Sequence, residues 1–234
     1  MHRYSLNNNY REKTLSIIFI ISLVLNKFLY GFVDGIITSF SSSNSVISNI
    51  IDFFDSVGIG VNLFTLSSVF GLLYCIYDKW LWKNKWITKL HNVPNLNGCW
   101  DGGLVSSHLD ENGNQTKMYA YFEIKQTWSK ITIKSDFSKT EKETNKRQLA
   151  NQNSSSSYSD TATFDVDNSA GPKLIFTYRN EANEPNLQIR NHSGCNTLVY
   201  KDNTLSGKYF TDRGDGTHGT IFLMKTKNIS EKVN

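Results

Sequence analysis

Two long apolar stretches constrain the fold of this chain more than any other feature. Residues 57–77 run for 21 residues without a charged side chain, and residues 14–33 are interrupted only by Asn26 and Lys27. A helix of about 20 apolar residues spans the roughly 30 Å hydrocarbon core of a bilayer. We therefore predict two transmembrane helices at about 14–33 and 57–77, with a cleavable signal peptide as the alternative interpretation of the first.

The basic residues around these stretches predict their orientation. The segment between the stretches, 34–56, contains no Lys or Arg and is expected to be a short external loop. Because Lys and Arg resist translocation, both ends of the membrane segment are expected to be cytoplasmic. The flanking basic residues are Arg3, Arg11, Lys13, Lys79, Lys83, Lys85 and Lys89.

The remainder of the chain has the composition of a separate polar domain. Residues 91–234 hold 17 Lys or Arg and 16 Asp or Glu, so we predict a membrane hairpin at 1–90 followed by a nearly neutral domain at 91–234. A neutral domain lacks the basic face that binding to DNA or RNA polymers requires. The three cysteines have neither disulfide-framework nor metal-ligand spacing, and no cofactor is expected.

The alternation of apolar and polar residues after residue 97 predicts an all-β domain. Turn signals such as Asn112-Gly113, Lys201-Asp202-Asn203 and Asp215-Gly216 fit antiparallel hairpins, and about eight strands can close into a barrel with room for a small ligand. The polar stretch 139–157 is expected to be a mobile loop or one short surface helix. The predicted strands are 98–108, 117–126, 130–137, 158–167, 173–180, 195–200, 204–212 and 218–226.

Period-two alternation predicts which side chains of two strands share a face. In the strand at 173–180, Phe176 and Tyr178 lie opposite Ile175, Thr177 and Arg179. In the segment LSGKYFTDR, the shared face mixes an aromatic ring, a hydroxyl, a guanidinium and a glycine that makes room, which is unusual for a purely structural core. That face is formed by Leu205, Gly207, Tyr209, Thr211 and Arg213.

These side chains predict binding rather than catalysis. The sequence contains no Gly-rich phosphate loop, nucleophile elbow or His-rich metal spacing, so we do not expect an enzyme. Trp128, Tyr178 and Tyr209 could stack on planar rings while Arg213 makes a bidentate phosphate contact, which suits a small anionic nucleotide. The alternative is that these aromatic residues, together with Trp100, only fill the barrel.

Several ordered motifs carry a resemblance to a known family. Two spans are followed by LNGCWDG, IKQTWSKITI, a Ser run at 154–157, FTYRNEANEP and LSGKYFTDRGDGTHGTI. This order resembles the two-transmembrane β-barrel effectors that accompany bacterial CD-NTase enzymes in cyclic-oligonucleotide anti-phage defence (CBASS). The resemblance covers nearly the whole chain in architecture, and its matched motifs cover about a quarter of it.

The resemblance implies a function and a set of site residues. It implies a barrel that binds a cyclic dinucleotide made on infection, after which the helices associate, with a homo-oligomer as the active form, and disrupt the bacterial inner membrane. The implied pocket lies near Trp128, Thr132, Tyr178, Tyr209 and Arg213, although alternation leaves open whether Thr132 or its neighbours at 131 and 133 face inward. Two other functions stay open: a membrane-tethered, lipocalin-like carrier of an apolar molecule, and an inert envelope protein with a filled barrel.

Overall fold

The chain folds as two units with different secondary structure. The computed structural model describes residues 1–7, 9–41, 45–56, 61–138, 155–182, 191–214 and 216–226. One unit, Asn8–Asn84, is helical, and the other combines Met1–Asn7 with Lys85–Asn234 and contains all of the described strands. The predicted division into 1–90 and 91–234 stays a prediction, and in the structure residues 1–7 and 85–90 belong to the unit that contains the strands.

The helical unit contains three α-helices: α1 (Tyr10–Ser41), α2 (Ser45–Ser56) and α3 (Val61–Lys79). Among the described residues, one stretch, Tyr10–Phe32, is long and apolar enough to cross a membrane. The second predicted span, 57–77, lies partly outside the described residues, and the rest of it is in α3.

The expectation of a loop at 34–56 is wrong. Helix α1 continues through Ser41, and Ser45–Ser56 forms α2. The apolar residues Val46, Ile50 and Phe53 recur at helical spacing, and the described part of the segment has no proline to interrupt a helix. The many Ser and Asn residues indicated a loop, but this periodicity outweighs their weak local preference.

Most of the buried residues of helix α1 are polar, with Ile18 as the apolar exception, and most of its exposed large residues are apolar. Thr14, Ser22 and Asn26 are buried, whereas Phe28 is 77% exposed and Phe32 is 69% exposed. Helix α1 packs on α3, and the ring centroids of Phe19 and Phe70 lie 6.2 Å apart in an edge-to-face arrangement. This distribution is the reverse of that in a water-soluble helix pair, whose apolar faces are buried.

The strand unit is a closed ring of nine strands, and the short helix α4 (Lys85–His91) precedes the second of these strands in the chain. Each strand pairs with its neighbours antiparallel, except that the first strand runs parallel to β5. All eight predicted strands are present, with bounds that agree within three residues. The strands are β1 (His2–Leu6), β2 (Gly98–Leu109), β3 (Gln115–Gln126), β4 (Lys130–Ser138), β5 (Ser155–Asp165), β6 (Lys173–Ala182), β7 (His192–Lys201), β8 (Thr204–Thr211) and β9 (His218–Lys225).

Turns alternate between the two ends of the ring. Asp202 and Asn203, both with positive φ, form a two-residue turn at the end that we call the closed end, and Asn112-Gly113 lies in a turn at the opposite, open end. In the third predicted turn, Asp215 lies outside the described residues. The predicted loop at 139–157 also lies largely outside them, and its last residues, 155–157, belong instead to β5 with buried side chains.

The sequence predicted eight of the nine strands and missed β1, the first in the chain. It fills the gap between β4 and β5 at the closed end, pairing with β4 at His2↔Ile131 and with β5 from Tyr4↔Ala162 to Leu6↔Phe164. Tyr4 is 2% exposed, and its ring meets Phe164 edge to face at 5.1 Å. A five-residue segment next to a long apolar helix has no alternation signal of its own, so its partners alone decide its conformation.

We expect Tyr4→Ala to destabilise the strand unit by about 3–5 kcal/mol, because the substitution leaves a cavity against Phe164. Arg3→Ala is the matched control on the exposed face of the same strand, and its effect should stay within about 0.5 kcal/mol. Denaturant unfolding of the full chain in detergent, followed by tryptophan fluorescence, measures both. Equal stability of the two variants would contradict the placement of β1 in the ring.

Candidate ligand-binding site

The interior of the ring is apolar at the closed end and polar at the open end. This division follows from side chains that alternate along every strand, so that each inward position continues a layer across the ring. The predicted faces of β6 and β8 are confirmed, since Phe176, Tyr178 and Tyr209 are buried while Arg179 and Phe210 are exposed. Fully buried apolar side chains at the closed end include Phe164, Leu174, Leu198, Leu205 and Leu223.

The segment between α4 and β2 seals the closed end. The indole nitrogen of Trp100 donates to the Leu96 carbonyl at 2.9 Å, and the Leu96 amide donates to Gln126 Oε1 at 2.9 Å. The His91 ring lies 4.4 Å from the Trp128 ring, and both residues are buried. Trp100 and Trp128 are therefore packing residues, and Trp128, one of the predicted site residues, lies at the closed end of the ring.

A cavity of about 820 Å³ lies at the open end. Sites for small ligands are usually about 300–1,000 Å³, so this volume is sufficient for a ligand of nucleotide size. Three of the five predicted site residues, Tyr178, Tyr209 and Arg213, line the cavity. Most of the other inward side chains around it are polar: Ser106, Ser155, Asn180, His192, Asn196, Thr211 and Thr217.

Thr132 does not line the cavity. Ile131 and Ile133 are the inward side chains of this part of β4, being 0% and 1% exposed, and Thr132 points to the opposite face. Cross-strand register decides this point, since Ile133 pairs with Ile124, another fully buried residue.

Two glycines make room for the two tyrosine rings. Gly194 pairs with Tyr178 across β6 and β7, and a Cβ atom at Gly194 would overlap the tyrosine ring. Gly219 pairs with Tyr209 across β8 and β9, and a Cβ there would lie 2.7 Å from the Tyr209 ring. Gly207, which the sequence singled out as making room, instead allows close approach of the β7 backbone at Thr197. Both tyrosines therefore occupy recesses that their neighbouring strands leave open.

Both tyrosine hydroxyls are expected to remain protonated at neutral pH. Burial raises the pKa of Tyr178, the nearby Tyr209 raises it further, and Arg213 partly opposes this. Burial also raises the pKa of Tyr209, while a hydrogen bond with Ser106 and the charge of Arg213 lower it. A protonated phenol can donate a hydrogen bond to an anionic oxygen.

Arg213 brings a positive charge to the cavity. It follows β8, and its Nη2 lies 3.2 Å from His192 Nδ1, while its Nε is buried without a hydrogen-bond partner among the described residues. Within the same described part of the chain no carboxylate pairs with this guanidinium. Its planar set of N–H donors matches a phosphate group, which would supply the missing acceptor.

Sequence reasoning missed two buried amides in the cavity. Asn180 and Asn196 are each 3% exposed. Asn180 accepts a 2.7 Å hydrogen bond from Ser157, while its Nδ2 and the Oδ1 of Asn196 have no partner among the described residues. A buried polar group without a partner is costly, so a ligand that pairs with it is favoured. The only sequence signal was a polar residue at an inward position of an otherwise apolar face.

Comparison with known proteins identifies the class to which this fold and cavity belong. Residues 91–225 match the family described as "Cap15, cyclic dinucleotide receptor domain". The chain belongs to this family, and the resemblance drawn from its motifs to the effectors of CBASS defence is confirmed.

A curated relative extends the similarity beyond the receptor domain. The chain is 28% identical over 177 residues to "CD-NTase-associated protein 15" of Yersinia aleksiciae. The aligned part covers 73% of this chain and 75% of the relative.

We expect Gly194→Ala to destabilise the strand unit by about 1–3 kcal/mol, since the added methyl overlaps Tyr178 and the Phe210 carbonyl. Gly214→Ala is the control, because a Cβ there meets nothing within 4 Å. In a double-mutant cycle, Tyr178→Ala should offset part of the Gly194→Ala cost. Additive effects of the two substitutions would contradict the proposed recess.

Proposed function

We propose that this protein is a membrane-anchored receptor and effector without catalytic activity. Its polar cavity binds a cyclic dinucleotide, and its helices then disrupt the bacterial inner membrane, which aborts phage infection. The observation that carries the proposal is the position of Arg213, whose guanidinium lines a polar cavity beside two buried tyrosines in a domain of the cyclic dinucleotide receptor family.

The cavity offers a distinct chemical group for each part of such a ligand. The guanidinium of Arg213 and the hydroxyls of Tyr178 and Tyr209 suit the phosphates, and the tyrosine rings suit stacking on bases. The amides of Asn180 and Asn196 can read the donor and acceptor pattern at a base edge. The atoms of these amides and of Arg213 that have no partner among the described residues provide both donors and an acceptor, as a nucleotide requires.

A carrier of an apolar molecule fits this cavity less well. The apolar half of the interior is filled by side chains such as Phe164 and Leu198, and the cavity lies in the polar half. A fatty acid or similar ligand in that cavity would bury Arg213, Asn180 and Asn196 without partners, which is unfavourable.

The position of β1 supports a membrane hairpin rather than a single crossing. Residues 2–6 are hydrogen-bonded to β4 and β5, so the N-terminal strand and the ring must lie on the same side of any membrane. The intervening segment 8–84 must then cross an even number of times. If Tyr10–Phe32, which is apolar enough to do so, crosses once, a return crossing follows, and α3 lies in the segment predicted for it.

The lipid-like exposure of α1 supports its insertion in a bilayer. Phe28 and Phe32 are exposed, while Ser22 and Asn26 are buried in the helical unit. Apolar side chains exposed to hydrocarbon carry no free-energy penalty, and polar side chains in a membrane are favoured at helix contacts. The basic residues beyond the spans favour a cytoplasmic ring, where a cytoplasmic second messenger has access to the cavity.

Binding can drive membrane disruption only through a difference in affinity. A ligand shifts the protein toward an assembled state if it binds that state more tightly than the resting one. We propose a homo-oligomer as that state.

The topology predicts the outcome of reporter fusions. A reporter fused after Phe40 should be external, and one fused after Leu90 should be cytoplasmic, because the basic residues lie outside 34–56. An external signal after Leu90 would remove the cavity from cytoplasmic nucleotides and overturn the receptor function.

We expect Arg213→Ala to weaken binding of a cyclic dinucleotide by about 2–4 kcal/mol, or roughly 30- to 1,000-fold in Kd, because a phosphate loses its charged partner. Arg179→Ala is the matched control, since Arg179 lies on the outer face of β6 and pairs with Asp160 at 3.0 Å. Its effect on Kd should be less than twofold.

The measurement is thermal unfolding of the full chain in detergent with a panel of cyclic dinucleotides carrying purine and pyrimidine bases. A ligand at 100 times its Kd adds about 2.7 kcal/mol to the stability of the parent. Equal stabilisation of the Arg213→Ala and Arg179→Ala variants would show that Arg213 is not the phosphate contact. Stabilisation of the parent by fatty acids and by no cyclic dinucleotide would favour the carrier.

A further inference from the structure

Strands β4 and β5 meet along a seam, and the strand pairing changes along the length of this seam. Near the open end the two strands pair directly, from Lys134↔Tyr158 to Phe137↔Ser155. Near the closed end they separate, and β1 lies between them. The seam therefore forks, and the branch point lies between the cavity and the closed end.

Several contacts fasten β1 within this fork. Tyr4 packs against Phe164, and Ser5 Oγ lies 2.7 Å from the hydroxyl of Thr163. Directly after the strand, the side-chain Nδ2 of Asn7 donates to Asp165 at 2.7 Å. The backbone N–H of Asn7 donates to the Phe164 carbonyl at 3.1 Å. Because these contacts hold β1 at a buried ring and directly after its last residue, we expect β1 to move together with β5.

The branch point is connected to the cavity through β5. Ser159 Oγ accepts a 2.9 Å hydrogen bond from the Ile133 amide and lies 2.8 Å from His2 Nε2. The pairing register of β5 shifts directly after Ser159. Two residues earlier, Ser157 donates to Asn180, a residue that lines the cavity and whose buried Nδ2 has no hydrogen-bond partner among the described residues. One short piece of β5 thus contacts both a ligand-facing amide and the N-terminal strand.

The covalent link from β1 to the first apolar helix is short. Helix α1 begins at Tyr10, three residues after Asn7. Three residues span at most about 10 Å when fully extended. A displacement of β1 therefore reaches the start of α1 with little slack.

We propose that β1 is a coupling strand that stays docked in the seam and transmits occupancy of the cavity to helix α1. This inference rests on the proposed function. A ligand that engages Asn180 more favourably in one arrangement of β5 selects that arrangement, and β1 carries the shift to the helix. Ligand binding itself does not depend on the link between β1 and α1.

The test lengthens the link without changing either unit. Six Gly and Ser residues are inserted after Asn8 in the full chain, which is then reconstituted in phosphatidylethanolamine and phosphatidylglycerol vesicles with an entrapped dye. The cyclic dinucleotide with the largest thermal shift for the parent is the probe. We expect the Kd for this probe to stay within twofold of the parent and the probe-triggered rate of dye release to fall at least tenfold.

The matched control places the same six residues after Asp202, in the two-residue turn at the closed end. This variant should keep both the affinity and the release rate of the parent. Release at the parental rate by the Asn8 insertion would overturn the coupling. Failure of the parent to bind any panel member or to release dye would instead overturn the proposed function, and the coupling with it.

A second variant tests whether β1 stays docked. The double substitution Ser5→Cys and Thr163→Cys places two thiols where two hydroxyls now lie 2.7 Å apart. Oxidation should join these two thiols in a disulfide and leave the three native cysteines as free thiols. We expect the stapled chain to release dye at the parental rate when the probe binds. Loss of release that a reductant restores would mean that β1 must detach, and would overturn coupling by a docked strand.

Discussion

Every strand of the ring is hydrogen-bonded on both sides, and this constraint determines where the side chains of the domain lie. Because the ring has no free edge, the alternation within each strand assigns half of its residues to one shared interior. The turns lie at the two ends of this interior, and the two ends differ in polarity. The closed end is filled by large apolar side chains under the segment that holds Leu96, while the open end holds polar side chains around a cavity.

The same constraint prepares the cavity for a polar ligand. Tyr178 and Tyr209 fit because glycines stand opposite them on the neighbouring strands, and these register pairs place both rings beside Arg213. The buried amides of Asn180 and Asn196 lie on two neighbouring strands, β6 and β7. The site is therefore largely organised before a ligand binds, which limits the entropic cost of binding.

The strand domain and the helical unit are joined at two points of the chain, one of which is the N-terminal strand. The chain leaves the ring after Asn7 and returns at α4, so both connections of the helical unit are covalent attachments to one strand domain. A receptor that acts on a membrane needs a physical link of this kind, and the inverted polarity of α1 suits the medium into which that helix is proposed to insert.

The sequence by itself determined the eight long strands, the inward faces of β6 and β8, and one helix apolar enough to span a membrane. These features are local, since period-two alternation and a long uncharged run both act between near neighbours in the chain. It also predicted Tyr178, Tyr209 and Arg213 at the cavity. Only the tertiary structure decided the remainder: Trp128 and Thr132 lie elsewhere, β1 closes the ring, and Asn180 and Asn196 face the cavity. Each of these depends on cross-strand register or on a partner distant in sequence, and neither leaves a periodic signal in the residues themselves.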